Sequence, residues 1–288
     1  MSSRLRGLAV LGLAAVLSRC APDHATAIAS SGPSYIVFGS SDQANTYSNV
    51  GAFLVERSDH KIFQFCSGTL IAPNVFVTAA HCTAYYEAVL VPRGFTAHVS
   101  FDQLIPFGNS TNLTTTHLID VTAVVTNPTF SQRQNDPGDI AVLRLPTGST
   151  DGLVPATLPR AGLLDQLAAQ GGLRDAVFTA VGYGLQDRIV GGGTPFFRDA
   201  NPVPRMFAFS SFDALDPAYL RLSQNPATGD GGTCFGDSGG PNFLDVGGTR
   251  TLVANTITGD AVCRATNVVY RLDIPTARTF LAQFVTLP

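Results

Sequence analysis

The feature that most limits how this sequence can fold is its punctuation. Short apolar, β-branched runs recur along it, each closed by a turn signal: Gly51–Val55, Thr69–Ile71, Val75–Thr78, Val121–Val125, Ile140–Leu145, Val177–Val181, Thr251–Ala254 and Val268–Tyr270. The 28 Gly and 18 Pro, about a sixth of the 288 residues, cut the chain too often for long helices. No strand–helix–strand alternation appears, so the pattern predicts an all-β chain of antiparallel barrels or sandwiches. The stretch from Pro146 to Pro159, rich in Pro, Gly, Ser and Thr, reads as a linker between two halves. Two helices are expected. One is short, Leu163–Gln170. The other is C-terminal, with Asp273 as cap and Pro275 in its first turn, and with Ala277, Phe280, Leu281, Phe284 and Val285 on one apolar face.

The first residues read as an export signal. Arg4 and Arg6 precede an apolar run from Gly7 to Leu17, too short to span a bilayer comfortably, and small residues at 25–29 suit a signal-peptidase cut. We therefore expect residues 1–29 to be a signal peptide and 30–35 a short propeptide. An N-terminal anchor is the alternative; a lipoprotein would need Cys20, which Arg19 disfavours. Beyond residue 35 there remain 15 basic and 20 acidic residues with no Lys/Arg cluster, which argues against a nucleic-acid partner. Lys61 is the sole lysine, and this arginine preference reads as a bacterial, high-GC bias. Losing the leader removes Cys20 and leaves Cys66, Cys82, Cys234 and Cys263, an even number in an oxidising compartment with three possible pairings. No Cys-x-x-Cys spacing supports a metal site.

Three short motifs carry chemistry. Gly236-Asp237-Ser238-Gly239-Gly240 places a hydroxyl among glycines. There the backbone can turn so that the Gly236 and Ser238 amides face one point and could receive an oxyanion. A serine needs a base. Thr78-Ala79-Ala80-His81-Cys82 offers an imidazole at the end of an apolar run, beside a cysteine. His60, His98 and His117 have no such context. Asp139 opens the run Ile140–Leu145, where a shielded carboxylate could fix the tautomer of His81. Asp136, before Pro137, is its nearest rival.

Together these motifs, in the order His, Asp, Ser, resemble the chymotrypsin–trypsin family of serine proteases, over roughly residue 36 to the end. Cys66-Ser-Gly-Thr-Leu-Ile71 resembles the strand before the catalytic histidine. Gly182-Tyr183-Gly184 resembles the family's Gly-Trp-Gly with Tyr for Trp, and Val268-Val-Tyr270 resembles the strand lining the specificity pocket. The resemblance implies two antiparallel six-stranded β-barrels packed face to face, 36–150 with His81 and Asp139 and 151–288 with Ser238 and a C-terminal helix. It implies disulfides Cys66–Cys82 and Cys234–Cys263. It also implies a zymogen whose new amine, at Ile36 in Ile36-Val-Phe-Gly39, pairs with Asp237. Phe38 stands there for the family's Gly, and Tyr35 before the cut does not suit a trypsin-like activator. Ile189-Val-Gly-Gly192 after Arg188 is a better literal match, but it lies inside the second half and reads as a loop prone to self-cleavage.

The base of the pocket would be Gly232, with Thr233 beside it and Val268 narrowing it. We expect small or medium apolar residues, and not Lys or Arg, before the scissile bond. Thr256–Gly259 would pair with substrate. The expected protein is a secreted bacterial endopeptidase, extracellular or in the cell envelope, monomeric, acting on protein or peptide substrates, with no metal or organic cofactor and no membrane span once mature. The rival class is a catalytically silent binding module or an unactivated zymogen; an esterase would be a side activity. Asn109-Ser-Thr and Asn112-Leu-Thr would accept glycans only in a eukaryotic host.

Overall fold

A computed structural model describes residues 36–106, 108–109, 117–133, 135–185, 188–189, 196–197 and 201–288. The leader, the propeptide, Cys20, the Asn112 sequon, the side chain of Asn109 and most of the Ile189–Gly192 stretch lie outside them.

The chain is mostly β, and its main strands fall into two sets of six. The first set is β1 (Val50–Glu56), β2 (Lys61–Ala72), β3 (Val75–Thr78), β4 (Thr96–Ser100), β5 (Ala123–Thr126) and β6 (Ala141–Arg144). They form an antiparallel half-barrel in the order β4-β1-β2-β3-β6-β5, edged by the short strand Ile119–Asp120. The second set is β7 (Val177–Gly182), β8 (Met206–Leu215), β9 (Tyr219–Ser223), β10 (Pro241–Val246), β11 (Thr249–Gly259) and β12 (Thr266–Arg271). Their order, β8-β7-β10-β11-β12-β9, closes into a barrel where β9 returns to β8, which removes its free edges. The two-barrel architecture is thus the one expected, with one barrel closed and the other a half-barrel.

Two exchanges tie the halves together. Ser40 and Ser41 pair with Phe207 and Met206 of β8, and Leu104–Ile105 pairs with Val203–Pro204. Between them lies the fully buried guanidinium of Arg205. It donates to Asp42 Oδ2 (2.9 Å), Phe101 O (2.9 Å) and Val50 O (3.2 Å). Asp42 also accepts the N–H groups of Thr46 (2.7 Å) and Tyr47 (3.0 Å), so neither buried charge lacks partners. Tyr183, where the family pattern has Trp, is buried beside them and donates its hydroxyl to Asp102 O at 2.8 Å. A phenol brings an O–H where an indole would bring an N–H, and here it finds an acceptor.

The helices are short: α1 (Ala80–Tyr85), α2 (Leu163–Ala169) and α3 (Pro275–Leu281). In α3, Ala277, Phe280 and Leu281 are buried, as the apolar spacing predicts. Asp273 does not cap α3, whose N-cap is Ile274 without a side-chain bond. It accepts instead from Leu164 N in the first turn of α2 (2.8 Å) and pairs with buried Arg271. Proximity in sequence pointed to the wrong helix because a buried cation two residues away fixes where this carboxylate turns.

Candidate active site

His81 stands in the first turn of α1, directly after β3, whose four residues are all buried. The N-cap of α1, Ala79, offers no side-chain acceptor; Asp139, from a different loop, serves. One Asp139 oxygen accepts the backbone N–H of His81 at 2.9 Å and the other accepts Nδ1 at 2.9 Å. A single carboxylate thereby fixes both the start of the helix and the plane of the imidazole. With its Nδ1 donating to Asp139, the ring keeps Nε2 as its free basic position. Asp139 is 5% exposed, so water competes little for this pair.

Ser238 sits in the turn between Gly236 (φ 96°) and Gly239 (φ 80°), left-handed conformations that a side chain would strain. A Cβ on Gly239 would come within 2.2 Å of Thr78 Oγ1, so only glycine lets this turn meet β3. The half-barrel holds the turn in place. Ser67 N donates to Ser238 O (2.8 Å), and Gln64 Nε2 (2.7 Å) and Ser67 Oγ (3.0 Å) donate to Gly236 O. With that carbonyl turned toward β2, the Gly236 and Ser238 N–H groups find no acceptor among the described residues. Sequence reasoning missed Gln64 and Ser67, because nothing local to them signals a partner about 170 residues away.

His81 and Ser238 line one cavity of about 220 Å³, together with Thr233, Thr256, Thr258 and Asp260. Ile257 and Gly259 line it as well, so all of Thr256–Gly259 faces this space. No hydrogen bond joins Ser238 to His81 among the described residues; Nε2 lies 3.6 Å from Cys82 Sγ. Cys66 and Cys82 form one disulfide and Cys234 and Cys263 the other. Cys66, His81 and Cys82 come within 4.8 Å of one another, but with both sulfurs in a disulfide this trio offers no thiolate to a metal.

The end of the cavity differs from the sequence reading. Gly232 does not line it; a Cβ there would run into Gln224 Oε1 at 2.2 Å. Gln224 is fully buried behind the wall. Its Oε1 accepts Thr233 N at 2.9 Å and its Nε2 donates to Asp260 Oδ1 at 3.1 Å, bridging two residues that do line it. Although burial opposes it, the N–H groups of Thr266, Ala265 and Arg264 and the Gln224 amide bring the Asp260 carboxyl down to about 2. Val268 lines a neighbouring cavity of about 570 Å³ with His81, Asp139, Tyr219, Arg221 and Ile257, and so does not narrow the first. A bulge at Ile257 shifts the register of β11 against β12, so that Thr258 stands opposite Val268.

Asp237 is wholly buried. It accepts Gly184 N (2.8 Å) and Cys234 N (2.9 Å). Burial outweighs these donors and pushes its carboxyl up to about 7. Ile36, also without exposed surface, packs against Met206 and Ala208, and Val37 bridges Gly232.

The chain is 33% identical to brachyurin of Leptuca pugilator over 184 residues, 62% of this chain and 70% of that one. It is 30% identical to trypsin of Phaedon cochleariae over 192 residues, 65% and 67% of the two, and 29% identical to the vitellin-degrading protease of Bombyx mori over 181 residues. It spans 61% of the length of the Bombyx protein. The trypsin family profile matches residues 36–279, a span that contains both strand sets, both disulfides and every residue of the site, and the chain belongs to the trypsin family.

Proposed function

We propose that this chain is a serine endopeptidase. Ser238 Oγ attacks the peptide carbonyl while His81 Nε2 takes its proton. Asp139 steadies the imidazolium, and the Gly236 and Ser238 N–H groups receive the oxyanion. His81 then protonates the leaving amine, and water releases the acyl-enzyme. The observation that carries this is the double grip of Asp139 on His81, at 2.9 Å to both nitrogens, on the wall of the cavity that also holds Ser238. The His81–Ser238 hydrogen bond forms once substrate excludes water, as such bonds commonly tighten on binding. A serine-reactive phosphonate tests it: activated protein should be labelled at Ser238 and Ser238→Ala should not. An unlabelled activated protein would support the silent module instead, a reading favoured by Phe38, which stands at φ 61° where the family has Gly.

The finer parts rest on the same geometry. A floor of Gln224 under a cavity of about 220 Å³ supports small or medium uncharged residues before the scissile bond. The five N–H donors already on Asp260 leave it little to offer a Lys or Arg. Activation is a cut before Ile36, whose amine then pairs with Asp237. The two disulfides and the leader-like start support secretion, with the halves dividing at 150/151, and we take the active form to be a monomer. The bacterial reading rests on the arginine preference alone, whereas the relatives above are arthropod proteins.

A further inference from the structure

Asp136 is the carboxylate that the proposed reaction leaves unused. It lies three residues before Asp139 in the same loop. Its Oδ1 accepts two hydrogen bonds, from Gly138 N at 3.1 Å and from the Tyr270 hydroxyl at 2.8 Å. Tyr270 has no exposed surface and belongs to β12 of the closed barrel, the one that carries Ser238. The loop belongs to the half-barrel. Its other bonds stay on that side: Asn127 Nδ2 donates to Gly138 O at 3.0 Å and Ser131 N to Pro137 O at 2.9 Å. Gly138 stands at φ 60°, and a Cβ there would meet Thr129 Oγ1 at 2.8 Å and Asn127 Nδ2 at 2.9 Å. Gly138, just before Asp139, is therefore gripped by Asn127 at its carbonyl and by Asp136 at its N–H, and Asp136 is itself held from the opposite barrel.

We propose that Asp136 and Tyr270 are positioning residues, whose hydrogen bond fastens the Asp139 loop to the barrel of Ser238 and so sets how the triad carboxylate meets His81. This rests on the reading of Asp139 as the triad acid. A phenol donating from a buried ring to a half-buried carboxylate is a strong, directional bond. Burial, and then the Asp136 carboxylate, hold the Tyr270 hydroxyl far above its ordinary range, so it donates at every working pH.

The test uses activated full-length enzyme and a short peptide substrate. Tyr270→Phe should lower kcat about tenfold with KM unchanged, because a looser Asp139 supports the transition state less while substrate binding is untouched. The acidic limb of its pH–rate profile should move to lower pH, because a less well-held Asp139 stabilises the His81 imidazolium less. The other charged or titratable groups that share a cavity with His81, namely Tyr219, Arg221 and Asp260, are unaltered. Asp136→Ala should reproduce the effect. Asp136→Asn keeps an oxygen for both donors and should lose far less. The proposal is overturned if Tyr270→Phe keeps wild-type kcat with an unmoved acidic limb, or if Asp136→Asn is as damaging as Asp136→Ala. Phosphonate labelling of wild-type Ser238 separates the two levels. A labelled wild type with an indifferent Tyr270→Phe sinks this inference alone, whereas an unlabelled wild type sinks the triad reading beneath it as well.

Discussion

Asp139 closes the helix that bears His81 and orients the imidazole of the same residue, so its two functions cannot be separated by deletion. Asp139→Asn keeps the size but puts an amide donor where Nδ1 needs an acceptor. We expect kcat to fall by about 10⁴ with little change in KM, measured by steady-state kinetics on a peptide ester. Gln224 is the second residue whose part is local. Its buried amide bonds Thr233 and Asp260 from behind the cavity wall, where the proposed floor would stop a longer substrate side chain. Gln224→Ala should raise the preference for Phe over Ala before the scissile bond by about 10- to 100-fold in kcat/KM, since each added methylene is worth about 1–3 kcal/mol in such a pocket. Gln224→Met fills the same space without the hydrogen bonds, so it should lower stability yet leave the ratio near wild type. An unchanged ratio in Gln224→Ala would show that the floor lies elsewhere.

At the level of elements, Arg271, on β12, is fully buried and pairs with Asp273 and with Asp165 of α2, while Asp273 also caps α2. Asp273→Ala leaves a buried guanidinium with one carboxylate, Asp165, and the Asp216 carbonyl, and a helix start without an acceptor. The expected loss is about 3–5 kcal/mol, read from urea denaturation, and Asp165→Ala, whose carboxylate is mostly exposed, should cost much less. Equal losses would refute the division. The same elements show what could be read in advance. Strands such as β6 were legible because Ala141-Val-Leu143 is apolar on both faces and buried on both. Helix α2 was legible from its leucines. Strand β8 was not, because its pattern is inverted: Ala208 and Ser210 point inward while Phe209 faces solvent, so hydrophobicity marks the wrong face. The proposed triad could be named in advance because His81, Asp139 and Ser238 each sit in a local motif. The floor of the cavity was not, because Gln224 acts through space on Gly232, and spacing along the chain carries no trace of that.

For the whole molecule, the proposed activation would bring together Ile36, where the trypsin family match begins, and Asp237, about 200 residues further along the chain. Uncut, Asp237 is a buried carboxyl with no cation in ion-pair distance among the described residues, and its folded value stands near 7 against an ordinary 3.8. The sign follows from proton counting. Between pH 4 and 7 the unfolded chain has released this proton while the folded chain still holds it. The unfolded state then binds fewer protons, and stability falls as pH rises, by about 4 kcal/mol over the interval. Below about pH 4 the cost is absent; above about pH 7 it is complete. A free amine at Ile36 reverses this by favouring the carboxylate. The cut protein should therefore be more stable than the uncut one at pH 7, the gap closing in acid as Asp237 takes up its proton and again in base as the amine loses its own. Urea denaturation of both forms from pH 4 to 8 measures the gap, and Asp237→Asn in the uncut chain should flatten its slope over that interval. Parallel stability–pH curves for the uncut chain and its Asp237→Asn variant would mean that water or a cation reaches this carboxylate, and its burial could then not supply the gap between the cut and uncut forms.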